Sequence, residues 1–320
     1  MKVSALAIGT WQLSGPLSLE GRPDGFTDPG EKHVINLISA CRDLGINVID
    51  TAEIYGDGEG EKRVGKAISG KRDKWIVSTK FGMRRGSKGE RIRDVHSDSI
   101  NKSLEKSLKR LKTDYVDLYF YHTRPGEREI DEGREVLERL KQNGKIRHYG
   151  ISTNNFSAVK ALRKFSFPEV AMFSQSLLTQ PNKILGFMKK NHLGGLIRGA
   201  FAGGRLTGRY FRESPDFSKE DIRSKTMKEV DFTKFALFER FIPEGWSMIG
   251  LALRYLLDFD TTHTIVLGGR SVEAYRNAMS VFEMEPVGRD MQKELNKLGK
   301  KLEGRKGSRW SHAKNLLLNI

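Results

Sequence analysis

A single cysteine, Cys41, occurs in all 320 residues, so no disulfide framework within the chain can staple the fold and stability must come from a packed core. Cys41 falls in helical register with Val34, Leu37 and Ile38 and is expected as a buried thiol on a core-facing stripe. Long apolar runs are missing as well. Nowhere does the chain reach the roughly 18 apolar residues that a membrane helix needs, and the start, Met1-Lys2-Val3-Ser4, has no signal-peptide pattern. These absences predict a cytoplasmic protein without a membrane partner. Acidic residues are scarce beside basic ones, 40 against 56, for a formal net charge of +16. The excess gathers in residues 71–112 and 289–320. Such a balance suits an acidic partner, but the basic stretches lack interleaved aromatics and no nucleic-acid motif is present. A solvated basic surface is therefore expected rather than nucleic-acid binding, with anionic small molecules as attractive partners and no metal.

What is present is a regular alternation. Short apolar runs at 6–10, 48–50, 75–80, 115–122, 146–152, 169–175, 195–200 and 264–267 read as buried strands. Between them, amphipathic stretches at 31–45, 61–68, from Asp98 to Leu111, 132–143, 157–165, 182–191, 246–257 and 272–282 read as helices, with Asp98 as an N-cap. Eight strand and helix repeats predict an α/β protein, a single-domain (β/α)8 TIM barrel over residues 1–320. Residues 201–245 interrupt the rhythm after the seventh strand with a long, partly helical excursion rich in Phe. Residues 289–320 form a basic C-terminal helix and tail, packed on the barrel or extending from it. An open doubly wound sheet would more often carry a Gly-rich turn after its first strand, and G-T-W-Q-L-S-G is not G-x-G-x-x-G.

A barrel puts its chemistry at the C-terminal ends of its strands. There the second, third and fourth strands place Asp50 with Tyr55, then Lys80, then His122. An ammonium near the Tyr55 hydroxyl favours the phenolate and is expected to lower a phenol pKa that is ordinarily about 10. Asp50 would keep a buried Lys80 charged. His122 could then donate a hydrogen bond to a substrate oxygen beside the phenol, so the four groups suit protonation or polarisation of a carbonyl oxygen.

The segments G-I-N-V-I-D-T-A-E-I-Y-G (45–56), S-T-K-F-G (78–82), S-L-K-R-L-K-T-D-Y-V-D-L-Y (107–119) with His122, G-K-I-R-H-Y-G-I-S (144–152) and G-G-R-L-T-G-R-Y (203–210) resemble those of the aldo-keto reductases. The resemblance runs through nearly the whole chain. It implies NADPH-dependent reduction of an aldehyde or ketone, NADPH being expected ahead of NADH. Tyr55 is then the general acid, Lys80 tunes it, Asp50 holds Lys80 and His122 orients the carbonyl. It also implies that Gly9, Thr10, Trp11 and Asp50 border the nicotinamide, that Ser152 with Thr153 or Asn154 meets its carboxamide, and that Arg198 stands where an aromatic often stacks. Phe201, Gly204 and Leu206 belong to the loop covering the pyrophosphate. Gly268, Gly269 and Arg270 open the last helix at the adenosine end, where free N–H groups and a guanidinium suit a 2′-phosphate, with Asn277 on the adenine side.

The sequence also departs from the family pattern. Met172 replaces a carboxamide-binding Gln, and Gln175, an odd number of residues away, would face the other side of its strand. Thr123-Arg124-Pro125 replaces W-P-D in the substrate wall. The start at Lys2-Val3-Ser4 falls where an N-terminal hairpin would end, which leaves the barrel bottom less covered. Arg84, Arg85, Lys88, Arg91 and Arg93 make the loop after the third strand basic, so an anionic carbonyl substrate or electrostatic capture of the cofactor is expected. A reading from a different class, a nucleotide-binding channel β-subunit with slow turnover, remains beside the enzyme.

Overall fold

The computed structural model describes residues 1–163 and 168–303. Among the described residues the barrel strands are β1 (Leu6–Gly9), β2 (Val48–Asp50), β3 (Ile76–Phe81), β4 (Val116–Tyr121), β5 (Ile146–Ser152), β6 (Val170–Ser174), β7 (Gly194–Arg198) and β8 (Thr264–Leu267). Each pairs in parallel with its neighbours in sequence, and β8 pairs with β1, closing a barrel. The helices after them are α1 (Glu31–Asp43), α2 (Glu59–Ala67), α3 (Ser97–Leu111), α4 (Glu127–Gln142), α5 (Phe156–Arg163), α6 (Asn182–Asn191), α7 (Met248–Leu257) and α8 (Val272–Met279), followed by α9 (Arg289–Glu303). The predicted (β/α)8 architecture is thus present, with element ends shifted and two short hairpins added in its loops.

Two apolar layers hold it together. Alternate strand residues point into the lumen, where Ala7, Val48, Ile76, Leu118, Phe120, Met172 and Leu196 form one cluster. Their neighbours point outward to the helices and join the main core, Cys41 among them. Burial pushes the Cys41 thiol up to about 12, so it is the inert core residue that its register implied. The lumen layer is capped from above by polar residues, because strands continue their alternation past the apolar level.

Several boundaries shift for local reasons. His96, not Asp98, is the N-cap of α3. The preceding Asp94 carboxylate accepts from the His96 N–H at 3.3 Å and the Ser99 hydroxyl at 2.7 Å, which leaves Asp98 in the first turn, where its charge suits the helix dipole. Helix α4 begins at Glu127 rather than 132, with Glu129 accepting from the Gly126 N–H. The expected excursion contains a 3-10 turn at Ala202–Gly204, one α turn at Arg223–Thr226 and a longer 3-10 stretch at Thr233–Phe241. Phe232, Phe235 and Phe238 bury themselves there, which accounts for the Phe enrichment. Helix α9 packs through Leu295, Leu298 and Leu302, and Gly299 lies so close to the Leu177 carbonyl that any side chain would collide with it. The last two residues of the predicted 157–165 helix and the tail from 304 lie outside the described residues.

Two hairpins stand over the mouth. Ser18–Leu19 pairs with Arg22–Pro23, and Met83–Arg85 with Arg91–Arg93. The Glu20 N–H donates to the Gly89 carbonyl at 2.8 Å, joining the loops after β1 and β3 into one wall.

Candidate active site

At the upper end of the lumen the alternation delivers polar side chains from adjacent strands. Asp50 pairs in register with Gly9 on one side and Ser78 on the other. Two residues beyond Ser78 on the same face comes Lys80. Tyr55 follows Asp50 by way of a tight loop and opens a 3-10 turn, Tyr55–Gly58. Gly56 within it adopts φ 58° and sits against the Ser14 carbonyl, with no room for a Cβ, so glycine is what lets this turn pack.

The four polar groups do meet. Lys80 Nζ donates to both Asp50 oxygens, at 2.9 and 2.7 Å, to the Thr51 carbonyl at 2.8 Å and to the Tyr55 hydroxyl at 3.3 Å. The Ser78 hydroxyl donates to Asp50 at 2.8 Å. His122 lies across from the phenol, ring centroids 5.8 Å apart and nearly perpendicular. Asp50, Tyr55, Lys80 and His122 are 4%, 8%, 1% and 2% exposed, so every charge interaction here acts in a dry environment.

That dryness sets the protonation states. For Lys80, burial opposes the charge, but Asp50 and then Tyr55 outweigh it and hold the ammonium above its ordinary 10.5. For Tyr55, burial raises the phenol and Lys80 lowers it, and the balance lies above 10. The expected net lowering is thus corrected: the ammonium acts in the predicted direction, but desolvation of a phenolate is the larger effect. His122 is held well below 6.5, first by burial and then by Lys80, Arg198 and Arg91. It is a neutral imidazole. Neither of its ring nitrogens has a hydrogen-bond partner among the described residues.

The residues expected around a cofactor divide into two groups. Thr10 lies against the four polar groups, its hydroxyl 3.1 Å and its N–H 2.9 Å from the Asp50 carbonyl oxygen. Trp11 stacks on Tyr55 at 6.0 Å and donates its Nε1–H to the Asp24 carbonyl at 3.1 Å. The Thr153 N–H is taken by the Met172 carbonyl at 2.8 Å, while the buried Ser152 hydroxyl has no partner among the described residues. Asn154 accepts from the Ser174 N–H at 2.7 Å, and Arg198 Nη1 donates to the Ser174 hydroxyl at 2.8 Å. The Arg198 charge reaches Tyr55 and Asp50. Met172 is wholly apolar and packed in the lumen cluster. Gln175 is fully buried, its carboxamide without a partner among the described residues.

Farther out, Phe201 is half-buried on the core and Leu206 wholly inside it, with the Leu206 N–H bound to the Phe201 carbonyl at 3.2 Å. Gly204 adopts φ 102°. A Cβ on Gly268 would meet the Gln12 carboxamide, and one on Gly269 the Tyr275 ring. Ser271 caps α8, accepting from the Ala274 N–H at 3.2 Å. The Arg270 guanidinium reaches the first βα loop, donating to the Thr27 hydroxyl at 2.8 Å and carbonyl at 2.9 Å. Asn277 stands exposed farther along α8.

Sequence reasoning missed Ser78, although it precedes Lys80 by two on a strand and so had to share its face. It also missed the buried Arg91–Asp24 ion pair at 2.8 Å, which ties the two mouth loops together. Only the tertiary arrangement reveals that pair.

A protein-family model described as the Aldo/keto reductase family matches residues 5–300. Aldo-keto reductase YhdN of Bacillus subtilis (strain 168) is 32% identical over 312 residues, which cover 92% of this chain and 90% of that protein. Among solved structures, the glycerol dehydrogenase AKR11B4 from Gluconobacter oxydans has a TM-score of 0.81 at 27% identity, over 96% of this chain and 94% of that one. The holo form of the aldo-keto reductase AKR11C1 from Bacillus halodurans has a TM-score of 0.78 at 27% identity, over 97% and 95%. With the fold and these likenesses in agreement, the chain belongs to the aldo-keto reductase family of NAD(P)H-dependent oxidoreductases.

Proposed function

We propose that the protein reduces an aldehyde or ketone to an alcohol with NADPH, Tyr55 serving as the general acid. The observation that carries this reading is the Lys80 ammonium, bound to both Asp50 oxygens and 3.3 Å from the Tyr55 hydroxyl. A phenol held protonated at neutral pH has a proton to give, and the adjacent ammonium stabilises the phenolate left behind. The neutral His122 offers a ring N–H to the same carbonyl oxygen, which fixes the oxygen beside the phenol and bears part of its developing charge.

The residues present fit a nicotinamide nucleotide. Ser152 presents a buried hydroxyl with no partner among the described residues, suited to a carboxamide, beside Thr153 and Asn154. Trp11, Gly9 and Thr10 would border the ring, and Arg198 would lie beside it. Gly204 and the loop with Phe201 and Leu206 would cover the pyrophosphate, Leu206 only through its backbone. The capped start of α8, with Gly268, Gly269 and Arg270, offers amide groups and a guanidinium to a phosphate, and Asn277 would meet the adenine. When bound, the cofactor supplies the hydride.

Of the five basic residues expected to attract an anionic substrate, Arg84, Arg85, Lys88 and Arg93 are exposed, whereas the Arg91 side chain turns inward and pairs with Asp24. The hairpin therefore acts on anionic carbonyl compounds at long range, through capture rather than contact. The deciding experiment is a panel of neutral and carboxylate-bearing aldehydes and ketones assayed with NADPH and NADH side by side. Turnover that is faster with NADPH and lowered by about 10²–10⁴-fold in Tyr55→Phe is expected. Equal turnover in that variant would overturn the assignment of the acid.

A further inference from the structure

Behind the lumen face of β3 lies a second buried polar layer that the chemistry above does not use. Thr79, next to Lys80, points to the opposite side of the sheet, where its hydroxyl donates to Glu61 of α2 at 2.6 Å. The Arg110 Nε of α3 donates to the other Glu61 oxygen at 2.6 Å. Beside them sits Glu53, 7% exposed and two residues before Tyr55. The Glu53 N–H donates to the Lys80 carbonyl at 3.3 Å, and its Oε1 accepts from the Gly82 N–H at 2.9 Å. Ser103 of α3 also hydrogen-bonds the carboxyl. Gly82 adopts φ 91° with Val95 packed where a Cβ would project, so the direction of its N–H is set. The loop carrying Tyr55 is thereby stitched to the end of β3, at Lys80 itself and two residues beyond it, and Lys80 is the residue that must meet Tyr55.

We propose that Glu53 is a positioning residue, which sets the Lys80–Tyr55 contact by holding the Tyr55 loop against β3, and that it does so as the neutral acid. The proposal rests on the reading of Tyr55 as the proton donor. Two carboxyl groups share this layer with one guanidinium, and Glu61 has taken the Arg110 bond. The groups facing Glu53 are Glu61 from α2, Ser103 and Arg110 from α3, the Gly82 N–H just past β3 and Tyr119 from β4. Burial first and the Glu61 charge second push the Glu53 carboxyl up to about 7, against the opposing pull of Ser103, Arg110 and Gly82. A folded-state value above the ordinary 4.5 means that the native protein keeps a proton the unfolded chain has released. The contribution of the neutral form is therefore complete in acid and is lost as pH rises through about 7. Above that, a second carboxylate faces Glu61 in a dry layer and the stitch loosens. His122, held well below 6.5, adds no inflection in this range.

The test compares wild type, Glu53→Gln and Glu53→Ala. Three quantities are measured from pH 5.5 to 9: kcat with 4-nitrobenzaldehyde and NADPH, NADPH affinity by fluorescence, and hydrogen exchange in peptides covering 52–58 and 80–85. Wild-type kcat is expected to fall by about tenfold across an inflection near 7, in line with loss of a well-placed general acid. Glu53→Gln, which keeps the acceptor for Gly82 and cannot ionise, should retain activity at pH 6 and lose the inflection. Glu53→Ala should lose about tenfold or more in kcat at pH 6, lack the inflection near 7 and keep NADPH affinity unchanged, and should exchange the 80–85 amides faster at that pH. A Glu53→Gln profile that still inflects near 7, or a Glu53→Ala enzyme as active as wild type, would overturn the proposal. If wild type itself oxidises no NADPH with any carbonyl, the functional reading fails. The exchange data still decide the stitch, since an 80–85 segment equally protected in all three proteins would refute it.

Discussion

The two halves of the barrel mouth treat their polar atoms in opposite ways. On the β2–β3 side every hydrogen-bonding group of the Asp50–Lys80 pair is engaged within the protein, with Ser78 and Thr51 completing the set. Across the mouth, from His122 through Ser152 to Gln175, buried polar atoms have no partner among the described residues. An unpaired buried polar group costs about 1–3 kcal/mol, which a fold tolerates where a ligand will repay it. The difference separates polar groups bonded to one another from polar groups without a partner among the described residues. Tyr55 belongs to both, since it contacts Lys80 behind it and faces His122 in front.

The largest effect should come from breaking the point where the halves meet. Tyr55→Phe removes the transferable proton and should lower kcat by about 10²–10⁴-fold while leaving NADPH affinity nearly unchanged, as steady-state assays and equilibrium titration would show. Next is Lys80→Met, on the satisfied side. It leaves Asp50 buried without its cation, so a loss of about 3–5 kcal/mol in urea unfolding is expected together with lost turnover. Ser152→Ala, on the unsatisfied side, should do the reverse: stability unchanged or slightly higher, and nicotinamide binding weaker. If Ser152→Ala were the more destabilising of the two, the contrast between the halves would be wrong.

Acidification sharpens the same comparison. Because His122 is held well below 6.5, the unfolded chain binds a proton there that the native protein does not, so stability is full above about 6.5 and declines as pH falls below it. A His122→Asn variant should show a flatter decline in Tm between pH 6.5 and 5 than wild type. The smallest effect is expected at the rim. Arg270→Ala should narrow the preference for NADPH over NADH by about tenfold, the scale of one charge-assisted contact of 1.5–3 kcal/mol, and unfolding should barely change.

Much of this was legible in the sequence because strand alternation and strand count are local properties. Eight apolar runs separated by helical patterns allow few architectures, and a barrel with Asp50, Lys80 and His122 at consecutive strand ends brings them together by construction. Asp98 reads as a cap from its position alone, whereas Asp94 accepts from the His96 N–H and the Ser99 hydroxyl, an arrangement set by the loop's approach to the helix. The net direction at Tyr55 was beyond sequence reasoning, since Lys80 proximity can be inferred from order but the extent of burial cannot. The Arg91–Asp24 pair joins residues 67 apart, and nothing in either segment marks the other as its partner.

By itself, then, the sequence determined the barrel, the placement of the four polar groups and the absence of a disulfide framework, through periodicity and composition. Only the tertiary structure decided how dry the site is, which polar atoms are left without partners among the described residues, and that Glu53 reaches across to Lys80 and Gly82 at the end of β3. The physical reason is that burial and desolvation depend on everything packed around a residue, whereas the face on which a strand residue lies depends only on its own chain.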